Sequence, residues 1–268
     1  MPEPSYPDPH PAARRSGPQP GPRGQAAQPG RQPGTPPGTP PRPTPGPQQG
    51  GAHPDQALAE ALLARWTALF AAPEAEPYGE QLLRRWSEPQ RKYHTVRHLA
   101  ATLSVVDRLA GHADDADLVR VAAWFHDAIY APDRTENEER SARLAERVLP
   151  ELGVADEAVA EVARLVRLTA EHDPAPGDHN GEVLCDADLA VLGSPPHIYA
   201  GYTAAVRAEY AFVPDEDFRK GRAEVLERLL ALPSLYRTQP ARSAYAERAA
   251  MNMRTELARL RDRVPPVT

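Results

Sequence analysis

Residues 114–130, DDADLVRVAAWFHDAIY, end in an apolar and aromatic run, Val121 to Tyr130, that contains a histidine and an aspartate side by side. The spacing of the apolar residues predicts an α-helix that closes before Pro132. If the aromatic residues of this run face a core, His126 and Asp127 are drawn toward it as well. Burying an unpaired carboxylate is costly, so the stretch predicts a partner that offsets the charge of Asp127.

Helical spacing recurs on both sides of this run, whereas period-two runs of β-branched and aromatic residues, which would predict strands, are nearly absent. The other predicted helices cover residues 55–70, 79–88, 94–111, 135–153, 156–172, 182–193, 196–212, 214–232 and 241–264. Pro77 is expected to separate the first two of these, and Thr135 and Glu138 have the spacing of a capping box. The predicted fold class is all-α, a compact multi-helix bundle.

The first 54 residues differ in composition from the rest of the chain. Of its 32 prolines, 17 lie in the first 50 residues, interleaved with Gly, Gln, Arg and Thr. Such a segment cannot bury enough apolar surface to offset the entropy of ordering, so residues 1–54 are predicted to be a disordered tail. Residues 55–268 are expected to form one helical domain. A signal peptide and a membrane span are not expected, because the chain has no apolar run suited to either.

Charge and cysteine content narrow the class of function. The tail carries five Arg against Glu3 and Asp8, while the whole chain has a net charge of −6, so the body is strongly acidic. An acidic body argues against binding to a nucleic-acid backbone. Cys185 is the only cysteine, which excludes a disulfide framework and a thiolate metal cluster. A reduced, cytoplasmic setting is expected.

Two further histidines precede the His–Asp pair. His94 and His98 have i, i+4 spacing, as in the H-E-x-x-H motif of zinc proteases, but Thr95 stands where the catalytic glutamate would be, so that reading is rejected. The apolar neighbours of His98 on the predicted helix indicate that its side chain points inward. The segment CDADLAVLG, farther along the chain, adds Asp186 and Asp188 in an apolar frame.

Each of these residues has a simpler structural explanation when taken alone. A histidine on an apolar helix face is commonly a hydrogen-bonded core residue, Asp127 could pair with an arginine, and Asp186 could cap a short helix. Taken together, two imidazoles and two carboxylates on apolar helical segments form a ligand set suited to a divalent first-row metal. A cation would also offset the charges of the buried carboxylates.

The ordered set H…HD…D resembles the signature of the HD-domain superfamily of metal-dependent phosphohydrolases. The strings YHTVRHL, FHDAIY, ENEERSA, CDADLAVLG, YTAAVRAEY and GRAEVLERLL, followed by LYRT, are similar to a bacterial subgroup of predicted phosphohydrolases, over roughly residues 55 to 262. The resemblance implies that His98, His126, Asp127 and Asp186 are the metal ligands. Asp188 is the second choice within DAD, or a residue that supports the ligands.

The resemblance also implies an activity: hydrolysis of a small phosphorylated molecule, such as a nucleotide or phosphomonoester, by a metal-activated water. Mn, Co, Zn, Fe or Mg would suit such a site. One alternative is a regulatory module that binds metal or nucleotide without turnover. Another is oxidative chemistry at a di-iron site, which would need extra histidines such as His172 and His179.

Residues beyond the four ligands are candidates for binding and proton transfer. Glu138 is a candidate general acid or base, although a capping box with Thr135 would also explain it. His94 and His172 could contact phosphate, and His172 could equally interact with a helix dipole. Arg207 and Arg222 could clamp phosphate, although surface pairing is an alternative for each. Nothing in the sequence marks out His112, His179 or His197, and self-association through apolar helix faces is left open.

Overall fold

The computed structural model describes residues 54–262, and within that range every regular element is helical. The ten α-helices are α1 Pro54–Thr67, α2 Ala75–Trp86, α3 Val96–Leu109, α4 Ala116–Phe125, α5 Asn137–Val148, α6 Asp156–Leu168, α7 His179–Asp188, α8 Pro196–Glu209, α9 Asp215–Ala231 and α10 Gln239–Asp262. Short 3-10 turns extend α3 through Ala110–His112, α5 through Leu149–Leu152 and α7 through Leu189–Gly193. The prediction of an all-α bundle is confirmed. The predicted tail, residues 1–54, lies outside the described residues except for Pro54.

Side chains in the sequence set several of the helix starts. Thr95 accepts a hydrogen bond from the backbone N–H of Arg97 and caps α3. Asp115 caps α4 by accepting from two backbone N–H groups of its first turn, and Asp178 caps α7 by accepting from Gly181. These caps satisfy backbone donors that have no partner inside the helix. They also fix the ends of the helices that carry the candidate site.

Two predicted helix boundaries are wrong in ways that matter for the site. Pro77 lies inside the first turn of α2, where its missing N–H removes no helical hydrogen bond. Helix α4 ends at Phe125, so the predicted helix over 114–130 stops five residues early and His126 and Asp127 lie just beyond it. The backbone tightens there, because the N–H of Ala128 donates to the carbonyl of Phe125 at 2.9 Å.

The predicted capping box at Thr135 and Glu138 is also wrong. Helix α5 begins at Asn137, and no side chain caps it. The amide of Asn137 instead bonds both the N–H and the carbonyl of Ala131, each at 3.0 Å, and so holds the loop that follows the His–Asp pair. This arrangement removes the capping explanation for Glu138 and leaves its carboxylate available to the site.

The core lies directly beneath the His–Asp pair and is built on aromatic residues. Trp66, Trp86, Trp124 and Phe125 are all fully buried. Trp66 meets Trp124 edge-on with 5.2 Å between ring centroids, and Trp86 donates from its indole N–H to the carbonyl of Trp124 at 3.0 Å. Burial of rings of this size supplies a large share of the apolar stabilisation, and the indole hydrogen bonds of Trp66 and Trp86 set the orientation of those two rings.

Substituting alanine for Gly79 tests the contact between α1 and α2. A Cβ at this position would lie 2.4 Å from Cδ1 of Trp66 and 2.7 Å from Cδ1 of Leu63. Trp66 cannot give way easily, because its indole N–H is bonded to the carbonyl of Ala75 at 2.6 Å. Gly79→Ala is therefore expected to lower the free energy of unfolding by about 1–3 kcal/mol, measured by urea denaturation.

Gly221→Ala is the matched control, since Gly221 lies within α9 and a Cβ there would have no neighbour within 4 Å. The control is expected to be neutral or to stabilise by up to about 1 kcal/mol, because alanine is the better helix former. Equal effects at the two positions would contradict the packing argument.

No helix among residues 54–262 has both the length and the apolar character needed to cross a membrane.

Candidate metal centre

Three buried or nearly buried side chains from three different elements converge on one point. His98 comes from α3, His126 follows α4 and Asp188 ends α7. Nε2 of His98 lies 2.9 Å from Oδ1 of Asp188 and 3.3 Å from Nε2 of His126, and the latter lies 3.5 Å from the same carboxylate oxygen. Each residue offers a ligand atom within 4.8 Å of the others, so the cluster could hold a metal ion.

The chemistry of the donors fits a divalent cation. Nδ1 of His126 lies 2.8 Å from the carbonyl oxygen of Ala123, which can only accept, so this nitrogen carries the proton. In the neutral form that a metal ligand requires, the Nε2 lone pair of His126 would face His98 and Asp188. A histidine held in this way by a backbone carbonyl is typical of metal ligands, and a nitrogen–oxygen donor set suits first-row metals.

Asp127 borders the same cluster. Its Oδ2 lies 3.2 Å from Nε2 of His126 and 3.9 Å from Nε2 of His98. Burial raises the pKa of the Asp127 carboxyl, but the charges of His126 and His94 outweigh burial and hold it below its ordinary value. The pKa of Asp188 is likewise held well below its ordinary range, against the effect of burial, by His126 and by hydrogen bonds from neighbouring histidines. Both carboxylates are thus kept ionised, as metal ligands must be.

The structure places Asp188, and not Asp186, in the cluster, which corrects the choice made within DAD. Asp186 is fully buried, and its two oxygens accept from the backbone N–H groups of Arg237 and Thr238, both at 2.7 Å. Residues two apart on a helix point in nearly opposite directions. Asp186 therefore anchors the segment before α10, while Asp188 faces the histidines.

His94 lies beside the cluster but not on the helix of His98, contrary to the prediction of a shared helix face. It precedes Thr95, the cap of α3, and its ring centroid is 5.8 Å from that of His98. Nε2 of His94 lies 3.9 Å from Oδ2 of Asp127. Burial lowers the pKa of His94, but the charges of Asp127 and Glu209 raise it overall. His94 therefore keeps its proton, and with it a positive charge, to higher pH than an ordinary histidine.

Glu209, at the end of α8, was missed by the sequence analysis, although it lies in the segment VRAEY that suggested Arg207. Its side chain is fully buried. Oε1 accepts from the backbone N–H groups of Lys92, Tyr93 and His94 at 2.7–2.9 Å, and Oε2 is 2.7 Å from Nδ1 of His94 and 2.9 Å from the hydroxyl of Tyr130. Although burial raises the pKa of Glu209, these partners lower it to about 2. Glu209 holds the chain segment that enters the site.

Arg91 is the second residue that sequence reasoning missed. It is buried, and its guanidinium donates to the backbone carbonyls of His94 and Asp127 at 3.1 and 2.8 Å. It also lies 5.4 Å from the ring of Trp86 and 5.3 Å from that of Tyr130. Arg91 therefore ties the His94 segment to the His–Asp turn. No local pattern marks an arginine for this position, because its acceptors are backbone groups of two distant segments.

His172 and Glu138, the candidates for phosphate contact and for proton transfer, lie close to the ligands. Nε2 of His172 is 2.7 Å from Oδ2 of Asp188, and His172 has a φ of 55°, a left-handed conformation uncommon outside glycine. Such backbone strain is frequent where a side chain must be positioned for function. Burial raises the pKa of the half-buried Glu138, and the negative charge of Asp127 adds to this. Glu138 therefore keeps a proton to higher pH than an ordinary glutamate.

Arg207 and Arg222, the two candidate phosphate clamps, are paired with other parts of the fold. Arg207 donates to the carbonyls of Tyr210 and Val213 and pairs with Asp215 at 2.5 Å, closing the end of α8. Arg222 pairs with Glu256 at 2.8 Å and stacks on a tyrosine ring. In both cases the guanidinium is occupied by acceptors of the fold itself.

A cavity of about 550 Å³ reaches His98 and Asp188. Four cationic side chains line it, namely those of Lys92, Arg97, Arg108 and Arg248, whereas Asp188 is the single carboxylate among its described lining residues. All four cations are exposed to solvent. On a chain of net charge −6, this local excess of positive charge favours an anionic ligand next to the metal cluster.

No family model, curated protein or solved structure matches the chain. The features that bear on function are therefore those of the site itself and not those of a relative. They are the buried histidine and carboxylate cluster, the neighbouring Glu138 and His172, and the cavity with cationic walls that reaches the cluster.

Proposed function

We propose that the protein is a metal-dependent phosphohydrolase that acts on a small phosphorylated molecule, as the resemblance to the HD-domain superfamily implies. One observation carries the proposal: a buried ligand cluster of His98, His126 and Asp188 lies at the end of a cavity whose other charged side chains are cationic. The first part suits a divalent cation, and the second suits a phosphate group.

In this proposal, separate groups of residues bind the metal and the phosphate. His98, His126, Asp188 and Asp127 would hold the cation, with Mn, Co, Zn, Fe and Mg as candidates. Such a cation supplies Lewis-acid charge for a phosphoryl oxygen and acidifies a coordinated water. The positive cavity wall would bind the phosphate of the substrate. The ionised state of both aspartates fits this assignment.

Glu138 is the best-placed candidate for proton transfer. Its raised pKa means that a carboxyl oxygen retains its proton closer to neutral pH, which suits donation to a leaving oxygen. His172 is assigned a positioning role, since its hydrogen bond to Oδ2 of Asp188 leaves Oδ1 directed at His98. His94 adds positive charge on the Asp127 side of the site.

A binding module without turnover is the main alternative, because an intact ligand set does not require catalysis. The di-iron alternative draws less support, since only one of the two extra histidines it needs lies near the cluster. His172 contacts Asp188, whereas His179 begins α7, nine residues from Asp188 on that helix, and contacts Asp114. Metal-dependent hydrolysis of a phosphate ester makes use of both the ligand carboxylates and the cationic side chains of the cavity, which is more than either alternative requires.

Removal and replacement of the metal tests the proposal. Protein stripped with a chelator and reloaded with single metals is assayed against phosphomonoesters, nucleotides and cyclic nucleotides. We expect hydrolysis with at least one metal and its loss in the stripped protein. Arg108→Gln, in the cavity wall, is expected to raise KM for that substrate about tenfold, while the control Arg143→Gln, on an exposed face of α5, leaves it unchanged. Bound metal with no turnover on any substrate would contradict the proposal and favour the binding module.

A further inference from the structure

A second group of potential metal ligands lies apart from the candidate metal centre. His112 ends the 3-10 turn after α3, and His179 and Glu182 occupy the first turn of α7. One ligand atom from each lies within 4.8 Å of the others, and Nε2 of His112 is 2.6 Å from Oε2 of Glu182. The two imidazole centroids are 5.0 Å apart. Glu182 precedes Asp188 by six residues, which is roughly 9 Å along α7, so the two groups are separate.

The surroundings hold these side chains in place without a ligand. Asn180 accepts from the backbone N–H of Asp115 at 2.9 Å, which ties the segment after His112 to the first turn of α7. Asp178 caps that helix and pairs with Arg164 at 2.8 Å. The convergence of two histidines and a glutamate is thus set by the packing of α3 and α7. A site organised in advance loses less entropy on binding.

The partner of His179 is arranged as metal-binding histidines usually require. Its Nδ1 lies 3.0 Å from Oδ1 of Asp114. In the neutral ring this contact places the proton on Nδ1 and leaves the lone pair of Nε2 available to a metal. A carboxylate behind a ligating imidazole fixes the tautomer and raises the basicity of the ligand. Asp114 would play that part here.

We infer that His112, His179 and Glu182 form a second metal site, which takes a transition metal of the zinc type with water in the remaining position. Two imidazoles and one carboxylate form a donor set that zinc accepts, with bonds of about 2.0–2.2 Å to each ligand. The metal replaces the direct contact between His112 and Glu182, and side-chain rotations bring the ligand atoms to tetrahedral separation. The positive N-terminus of α7 opposes a cation, but the carboxylates of Glu182 and Asp114 offset it.

Such a site would join the end of α3 to the start of α7. These two helices also carry His98 and Asp188 of the candidate metal centre, so a metal here would stiffen the pair on which that centre depends. The ligands are partly exposed, with 34% of His112, 45% of His179 and 13% of Glu182 accessible to solvent. Metal can therefore enter and leave without unfolding of the core.

Zinc titration of the full chain tests the site. Stripped protein is titrated with Zn²⁺ in competition with a chromophoric chelator, and the number of zinc equivalents is measured. We expect the wild-type chain to bind one equivalent more than the double variant His112→Asn/His179→Asn. His197→Asn is the matched control, because His197 is an exposed histidine in the first turn of α8, outside both clusters, and should behave as wild type.

Three additional measurements complete the test. Circular dichroism checks that the double variant is folded, and Glu182→Gln, which preserves side-chain size, is expected to weaken the same zinc equivalent by about tenfold or more. The same comparison in an Asp188→Asn background separates this site from the candidate metal centre, whatever the activity of the latter. Equal zinc equivalents and equal affinities in the wild-type chain, the double variant and Glu182→Gln would overturn the inference.

Discussion

Asp188→Asn is expected to reduce both metal affinity and the proposed phosphohydrolase activity by about a hundredfold or more, whereas Asp186→Asn should leave metal binding intact. Oδ1 of Asp188 lies 2.9 Å from Nε2 of His98 and 3.5 Å from Nε2 of His126, and its other oxygen contacts His172. The substitution removes the negative charge around which these histidines are arranged. The remaining imidazoles and Asp127 would hold a divalent cation far less tightly.

Asp186 should respond in the opposite way, which makes the two positions a matched pair. Its carboxylate accepts two backbone hydrogen bonds at 2.7 Å. Within residues 54–262, which the structure describes, it forms no hydrogen bond with His98 or His126. Asp186→Asn replaces one acceptor oxygen with an amide donor that faces a buried N–H. We expect the free energy of unfolding to fall by about 1–3 kcal/mol.

Metal content after dialysis, hydrolysis rates and urea denaturation of the two variants together check this prediction. The expected pattern is loss of metal in a chain that remains folded at position 188, and loss of stability with retained metal at position 186. If Asp186→Asn were the variant that lost its metal while folded, the assignment of the ligand to Asp188 would be wrong.

Glu209→Ala is expected to lower the free energy of unfolding by about 3–5 kcal/mol, the largest effect on stability predicted for a single side chain in this protein. Its two oxygens accept from three backbone N–H groups, from His94 and from Tyr130, so truncation leaves five donors without their acceptor. Buried donors that lose their partner carry the full cost of desolvation. Because these donors lie next to Asp127, the site should loosen together with the fold.

The stabilising effect of Glu209 should depend on pH in a defined direction. The pKa of Glu209 is lowered from 4.5 to about 2, so the carboxylate stabilises the folded state above pH 4.5. This contribution, on the order of 3 kcal/mol, is lost progressively as the pH falls from about 4.5 toward 2, because the unfolded chain binds the proton first. In Glu209→Gln the acid-induced loss of stability should be smaller over that range.

Urea denaturation at pH 7 and pH 3 measures both effects, with Glu224→Ala as the control. Glu224 is an exposed residue of α9, and its substitution should change the free energy of unfolding by less than about 0.5 kcal/mol at either pH. If Glu209→Ala matched this control at pH 7, the network around Glu209 would contribute little to the fold.

Local patterns in the sequence were sufficient for the fold class and for part of the site. The apolar spacing around residues 114–130 predicts a helix and a buried His126–Asp127 pair, and inward-facing neighbours predict the direction of His98. Both histidines lie in the cluster, since the side-chain direction on a helix follows from its periodicity. The period of 3.6 residues is a local property, so it can be read without knowledge of the neighbours.

Helix ends were harder to predict, and the His–Asp pair depends on one of them. The run through Tyr130 looks helical throughout, yet α4 ends at Phe125. The turn that follows is held by Arg91, which donates to the carbonyl of Asp127 from 36 residues away, and by Asn137. An apolar pattern cannot show that a distant guanidinium will take the carbonyls that would otherwise continue a helix.

Apolar spacing along the chain is enough to show that the protein is helical and that histidines and carboxylates enter its core. Which carboxylates meet which histidines depends on how the helices pack. Asp186 and Asp188 are the same residue type on the same short helix. The packing of α7 directs Asp188 toward the cluster and Asp186 toward the segment before α10. Glu209 reaches His94 across 115 residues. Electrostatic interactions depend on the distance between charges in the folded structure. That distance is set by how the helices pack and not by the separation of the residues in the sequence.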